Sequence, residues 1–351
     1  MKFLRLAFYV LIAQLVLSGC AGEGVEETSS SSSSEINFDA YVGRNASTRA
    51  GETKIDSLKK SGFGVFARYK HNGATSPLMD NEHVTWKGNH WGYTNTRYWP
   101  NEGSVDFYAF APYLENVKNL VCAPDSIKDN PTCIEFTSSK SNVDLVWDVQ
   151  KNKTVPTSST DGKVKFQFKH ALARLGFDIT ANQKLDSLGA VIKVKEVKLY
   201  GDTIVNGAFD IKGYLNLENG GWSVVTDYGT RAVYTWTPGA EDGTNFKLSA
   251  SQLDHTCKEI KNAPNSYLCI IPQQKYQSFY LQITYTVQQG DFFQEEVTVR
   301  KDLTGISKPF KFEMGKAYVF HLILSLDPID FSISATVGGW IGNVVEDEIT
   351  I

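Results

Sequence analysis

Four cysteines in the body of the chain stand in two local pairs, Cys122 with Cys133 and Cys257 with Cys269, eleven and twelve residues apart. In an oxidising compartment, thiols at such spacing can close small loops as disulfides, each contributing on the order of 3 kcal/mol in the chain-entropy model. Other pairings are open, and the local one is the expectation. Zinc is the rival chemistry, but no C-x-x-C spacing occurs and no histidine lies close to both pairs. The six histidines are scattered; His83 and His90 share an aromatic region, where a metal would also need a carboxylate such as Glu82. No G-x-S-x-G, H-E-x-x-H or Walker loop occurs, and Gly62-Phe63-Gly64 is a lone G-x-G in a strand context. No pair of carboxylates can be singled out for acid–base work. The expectation is a protein that is not an enzyme, with no cofactor and no metal.

The fifth cysteine, Cys20, has a different setting. Lys2 and Arg5 give a positive start, Leu6 to Leu17 is almost all apolar, and the run ends in Leu17-Ser18-Gly19-Cys20. Such a run is too short for a mature membrane span and fits a signal peptide over 1–19. The box is similar to a bacterial lipobox, which implies cleavage before Cys20 and acylation of its sulfur and new amino group. Several acyl chains on one residue give stable anchoring to the outer membrane. Residues 20–34 then read as a lipidated tether, since six serines from Ser29 to Ser34 cannot bury apolar surface. Glu23, Glu26 and Glu27 after the anchor resemble the acidic tract that directs Bacteroidetes lipoproteins to the cell surface.

Aromatic rings supply the remaining candidate chemistry. HWGYTNTRYWP, residues 90–100, offers rings that could stack on sugars. At period two, Trp91, Tyr93, Asn95, Arg97 and Trp99 share one face. With Pro100 to Gly103 as a turn and VDFYAF as a returning strand, the stretch reads as a hairpin whose aromatics stabilise a sheet. Trp91, Arg97 and Trp99 are the candidate glycan contacts if a sugar site exists there.

The elements that must hold these residues are strands. KVKFQFKH (163–170), FYLQITYTV (279–287), AYVFHLILSL (317–326) and DFSISATV (330–337) alternate apolar with polar, the mark of antiparallel sheets with one wet face. Turn pairs such as Asn72-Gly73 separate the runs. One short surface helix fits Lys54 to Lys60. The class is all-β, in two tandem β-sandwich domains, since the mature chain is long for one core. The polar stretch 151–162 places the boundary, giving domains over 35–158 and 159–351. Inward parity is even through Phe168, His170 and Leu172 and odd from Leu175, so a bulge or a sheet-switching corner belongs between Ala171 and Arg174. His170 falls on the inner face as a packed histidine bonded to backbone. The net charge of −4 gives no basic patch for nucleic acid.

The order of motifs is informative as a series. After the lipobox and tether come EINFDAYV, the tripeptide Thr48-Arg49-Ala50, SGFGVFARY, RYWP with VDFYAFAPY, FKHALARLGFDI and a closing VGGWIGNVVEDEITI. This series resembles the fimbrillin family of Bacteroidetes, its fimbrillin-like (Mfa-like) branch. The resemblance implies a surface lipoprotein with two transthyretin-like, Greek-key β-sandwiches that serves as a structural and adhesive fimbrial (pilus) subunit. It implies proteolysis after Arg49, leaving Ala50 as the new N-terminus, with Arg44 as a second candidate. The cut would free the EINFDAYV strand and open a groove for a strand of another subunit. Partners would be other fimbrial subunits, the outer membrane through the lipid, and host or bacterial surface ligands. VVEDEITI, with Val345, Ile349 and Ile351 on one face, is the candidate donor. Asp56-Ser57-Leu58, Asp125-Ser126-Ile127, Asp186-Ser187-Leu188 and Asp202-Thr203-Ile204 resemble the O-glycosylation sequon of the same bacteria. The alternative function is a glycan-binding surface lipoprotein of a polysaccharide-uptake system.

Overall fold

The computed structural model describes residues 34–42, 55–123, 131–138, 143–157, 162–181, 191–201, 209–225, 231–237, 246–248, 268–274, 280–289, 293–303, 311–324, 332–339 and 345–350. Strands dominate it, with one short helix at Ile55–Ser61 among the described residues. That helix carries Asp56 in its first turn and Lys59 and Lys60 in its last, charges placed to suit its dipole. It buries Leu58 and stops at Gly62, whose φ is +66° and whose N–H donates to the Leu58 carbonyl at 2.8 Å. A Cβ there would stand 2.5 Å from the Val84 carbonyl oxygen, so only glycine fits the cap.

The first half is one seven-stranded sheet, in the order Asn37–Val42, Lys163–His170, Val146–Lys153, Ser104–Ala111, Phe63–His71, Ala74–Trp86 and Trp91–Gly92. Phe63–His71 and Ala74–Trp86 are joined by Asn72 and Gly73, both at positive φ, as a two-residue primed turn requires. Ser104–Ala111 lies mid-sheet and is buried on both faces. Val105, Phe107 and Ala109 enter one core cluster, while Tyr108 and Phe110 enter another on the opposite side. Lys163–His170 alternates exposed and buried without a fault, with Val164, Phe166, Phe168 and His170 inward. Burial of each such apolar side chain stabilises the fold by about 1.5–3 kcal/mol.

Val146–Lys153 and Lys163–His170 pair directly, with Val146 opposite His170 and Trp147 opposite Lys169. The polar stretch at 154–162 therefore connects two neighbours of one sheet, and the expected boundary at 158 falls between them. The change of sheet comes later, where the parity shifts. Lys163–His170 ends in the seven-stranded sheet, and Ala173–Ala181 begins in a five-stranded one. His170 is buried at that corner, and its Nδ1 lies 3.1 Å from both oxygens of the buried Asp144 carboxylate. The histidine is packed as expected, with a buried carboxylate as a partner.

The five-stranded sheet orders Leu268–Ile270, Ala173–Ala181, Lys316–Leu324, Ser332–Gly339 and Val345–Thr350, and Ala173–Ala181 runs parallel to Lys316–Leu324. A second sheet orders Tyr234–Trp236, Val191–Tyr200, Tyr280–Gln289 and Phe293–Asp302, with Phe246–Leu248 also on Val191–Tyr200. Leu175, Ile179, Phe320 and Leu322 of the former share one core cluster with Val194, Leu199, Leu281 and Tyr285 of the latter. A three-stranded sheet, Trp222–Val225, Lys212–Asn216 and Cys133–Thr137, draws on both halves of the chain. Its Ile134 and Leu215 join Phe66, Phe110, Trp147 and Leu172 in the remaining cluster. Gln273–Gln274 and Lys311–Phe312 form a small ribbon.

Candidate functional site

The strand Asn37–Val42 is the feature around which the first core closes. It pairs in parallel with Lys163–His170, from Asn37 opposite Lys163 to Val42 opposite Phe168. Parallel pairing joins segments far apart in sequence, so no hairpin ties this strand to its neighbour. Its alternation buries Ile36, Phe38 and Ala40 and leaves Tyr41 exposed. Phe38 sits among Tyr93, Phe166, Phe107 and Phe63, at ring-centroid distances of 5.4, 5.8, 6.0 and 6.3 Å. Rings at such separations and tilts contribute about 0.5–1.5 kcal/mol per pair beyond area burial.

On its other edge the strand meets the aromatic stretch. Glu35 bridges Tyr98 in antiparallel sense. The Ile36 N–H donates to the Arg97 carbonyl at 2.8 Å, and the Trp99 N–H donates to the Ser34 carbonyl at 2.9 Å. The Tyr93 hydroxyl donates to the Ile36 carbonyl at 2.7 Å and accepts the Arg97 N–H at 3.2 Å. Burial pushes the Tyr93 phenol above its ordinary value, against the backbone hydrogen bond from Arg97, so it remains a donor at neutral pH. Further along, the Ala40 N–H is taken by Asp39 Oδ1 at 2.9 Å, which blunts an edge amide. The arrangement binds an extended peptide by backbone groups on both edges and by an aromatic pocket on one face.

The hairpin expected from 91–99 to VDFYAF does not form. Only Trp91–Gly92 is strand, opposite Thr85 and Trp86, and Ser104–Ala111 pairs with Phe63–His71 and Val146–Lys153. Alternation fixes which face a residue takes but not which strand it meets. Trp91 and Trp99, each 4% exposed, lie in the core against Phe63 and Phe107, at 5.0 and 5.6 Å. They offer no open platform for a sugar. Arg97 turns its Nε to the Leu78 carbonyl at 3.1 Å. Among the tryptophans and tyrosines of the stretch, Tyr98 is the exposed one. The roles of Ser34 and of the Tyr93 hydroxyl went unread in the sequence, since a backbone contact leaves no mark on residue type.

Cys133 stands opposite Val121, with reciprocal backbone bonds of 2.8 and 2.9 Å, and Cys122 lies one position beyond. Burial raises the Cys133 thiol above its usual value. Cys269 is buried opposite Arg174 in another sheet. Ser57, in the helix, is the sequon hydroxyl among the described residues, and it is exposed. Cys20, Arg44, Arg49, Ala50, Cys257 and the other three sequons lie outside the described residues.

A family model described as fimbrillin-like matches residues 48–340. The chain belongs to the fimbrillin-like family. A curated relative of this fimbrillin-like chain is the fimbrium subunit Fim1C of Phocaeicola vulgatus, 32% identical over 187 residues, 47% of this chain and 48% of the relative. The match thus spans about half of the relative's length. Among solved structures, a fimbrial protein from Bacteroides vulgatus superposes with a TM-score of 0.63 at 22% identity, covering 87% of this chain and 99% of the other. A candidate cell-adhesion protein from Bacteroides uniformis gives 0.53 at 18% identity, with 87% and 99% covered. These likenesses show the all-β fold of the fimbrillin-like chain. The family match begins at residue 48, beyond the Asn37–Val42 strand.

Proposed function

We propose that this fimbrillin-like chain is a surface fimbrial subunit, anchored through lipid on Cys20 and assembled by strand replacement after proteolysis at Arg49. The observation that carries the reading is the first strand. It fills the core with Ile36, Phe38 and Ala40, yet no hairpin joins it to its partner, and it precedes the family match. Its removal would expose one edge of Lys163–His170 and the pocket around Phe38. Unsatisfied donors and apolar surface favour addition of another strand. Val345–Thr350 lies at the edge of its own sheet, where the fewest ladder bonds hold a strand that must leave to serve a neighbour. The buried Trp91 and Trp99 give the glycan-binding alternative no support.

The N-terminal residue of the protein on cells tests the reading: Ala50 for a processed subunit, Cys20 with acyl groups for an anchored, unprocessed one. Recombinant mature chain cut by a trypsin-like protease at Arg49 should then form polymers. A cut chain that stays monomeric and takes up no C-terminal strand peptide defeats assembly by strand replacement.

A further inference from the structure

We propose that the segment Tyr93–Trp99 is a backbone clasp for an extended strand, holding Ser34–Ile36 of this chain and offering the same groups to the strand that takes its place. The second half rests on the strand-replacement reading above; the first rests on geometry alone. Three groups converge on one short stretch: the Arg97 carbonyl accepts Ile36 N–H, the Trp99 N–H reaches the Ser34 carbonyl, and the Tyr93 hydroxyl donates to the Ile36 carbonyl. Tyr93 also accepts the Arg97 N–H, so one hydroxyl ties the loop to itself and to the strand. Every contact asks the occupant for backbone N–H and C=O only, as in strand addition generally.

Side-chain choice falls to the next inward position. The Tyr93 ring that carries the hydroxyl also borders the Phe38 pocket, at 5.4 Å. Ala40, two residues on, is buried as well. The partner that fits is therefore an extended segment of a second polypeptide, with a large apolar residue at the Phe38 position and a small one at the Ala40 position.

The two edges of the strand are held unequally. The ladder to Lys163–His170 runs from Asn37 to Val42, whereas the clasp grips Ser34–Ile36. Peeling starts from the Val42 end, the end nearer Arg44 and Arg49 in sequence, and the clasp lets go last.

Hydrogen exchange by mass spectrometry on the full mature chain tests the clasp, comparing wild type with Tyr93→Phe, which keeps the ring and deletes the hydroxyl. Peptides covering 34–42 should exchange about ten-fold faster in the variant, with Tyr280–Gln289 unchanged. Unchanged protection at 34–42, or acceleration throughout the chain, overturns the proposal. A second arm uses chain cut after Arg49 and a labelled peptide of residues 34–42 as the probe. Uptake should weaken about ten-fold or more with the Phe38→Asp peptide or with Tyr93→Phe protein. Equal uptake by wild type and Tyr93→Phe refutes the clasp and leaves strand replacement standing. No uptake by either refutes strand replacement, while the exchange data alone decide the hold on the chain's own strand.

Discussion

Phe38 stacks on Phe166, ring centroids 5.8 Å apart and planes 22° from parallel, across the parallel ladder that binds the first strand to the sheet. Both side chains are fully buried. Phe38→Ala should therefore cost about 3–5 kcal/mol in urea unfolding, by lost transfer energy and the cavity left behind. A cost under about 1 kcal/mol would mean that the strand adds little to the fold.

Gly220 has φ +78°, and a Cβ there would lie 2.2 Å from Trp147 Cζ2. Strain and overpacking act together at this site, so Gly220→Ala should destabilise by about 1–3 kcal/mol. The same change at Gly73, also at positive φ but with open space around it, should cost less. Thermal unfolding of the two variants side by side checks the order.

Asp106 is wholly buried; its Oδ1 accepts the Asn152 N–H at 2.7 Å and its Oδ2 pairs with Lys70. Removing the carboxylate strands a backbone donor, and removing the lysine leaves a buried charge. Because the Lys70 side chain is 42% exposed, water compensates part of its loss. Asp106→Ala should thus cost about 2–3 kcal/mol and Lys70→Met about 1–2 kcal/mol, measured by chemical denaturation.

The raised Tyr93 phenol carries a pH prediction. A tyrosine whose folded value lies above its unfolded value adds stability that is whole below the unfolded value, about 10, and fades as pH rises through the folded one. The seat of the first strand should hold steady from about pH 6 to 9 and loosen above about pH 10. Hydrogen exchange at 34–42, corrected for intrinsic rate, reads this directly. Tyr93→Phe should flatten that dependence.

The sequence made the faces legible and left the partners hidden. KVKFQFKH alternates as written, and the parity slip after His170 marks the corner where the chain leaves one sheet for another. The helix expected at Lys54 to Lys60 forms at Ile55–Ser61. What local pattern could not carry was the pairing of residues 37–42 with 163–168, because parallel neighbours share no turn. Trp91 and Trp99 misled for the same reason. Their types and period suited a hairpin, but Trp91 meets Trp86 of the strand before it, and Trp99 reaches back to Ser34. His170 was legible as an inward histidine, while Asp144, from a segment 26 residues earlier, was not.

The corner at Ala171 and Leu172 has a mechanical consequence. Lys163–His170 and Ala173–Ala181 are one covalent run with two residues between its halves. The first half lies beside the first strand, and the second beside Lys316–Leu324, which in turn borders Ser332–Gly339. Both outer pairings of this run are parallel. In a filament joined at the first-strand seat and at the C-terminal strands, tension would enter one end of this run and leave by the other. The chain would carry that load through its own backbone as a tie-rod, with sheet ladders loaded along their length at each end.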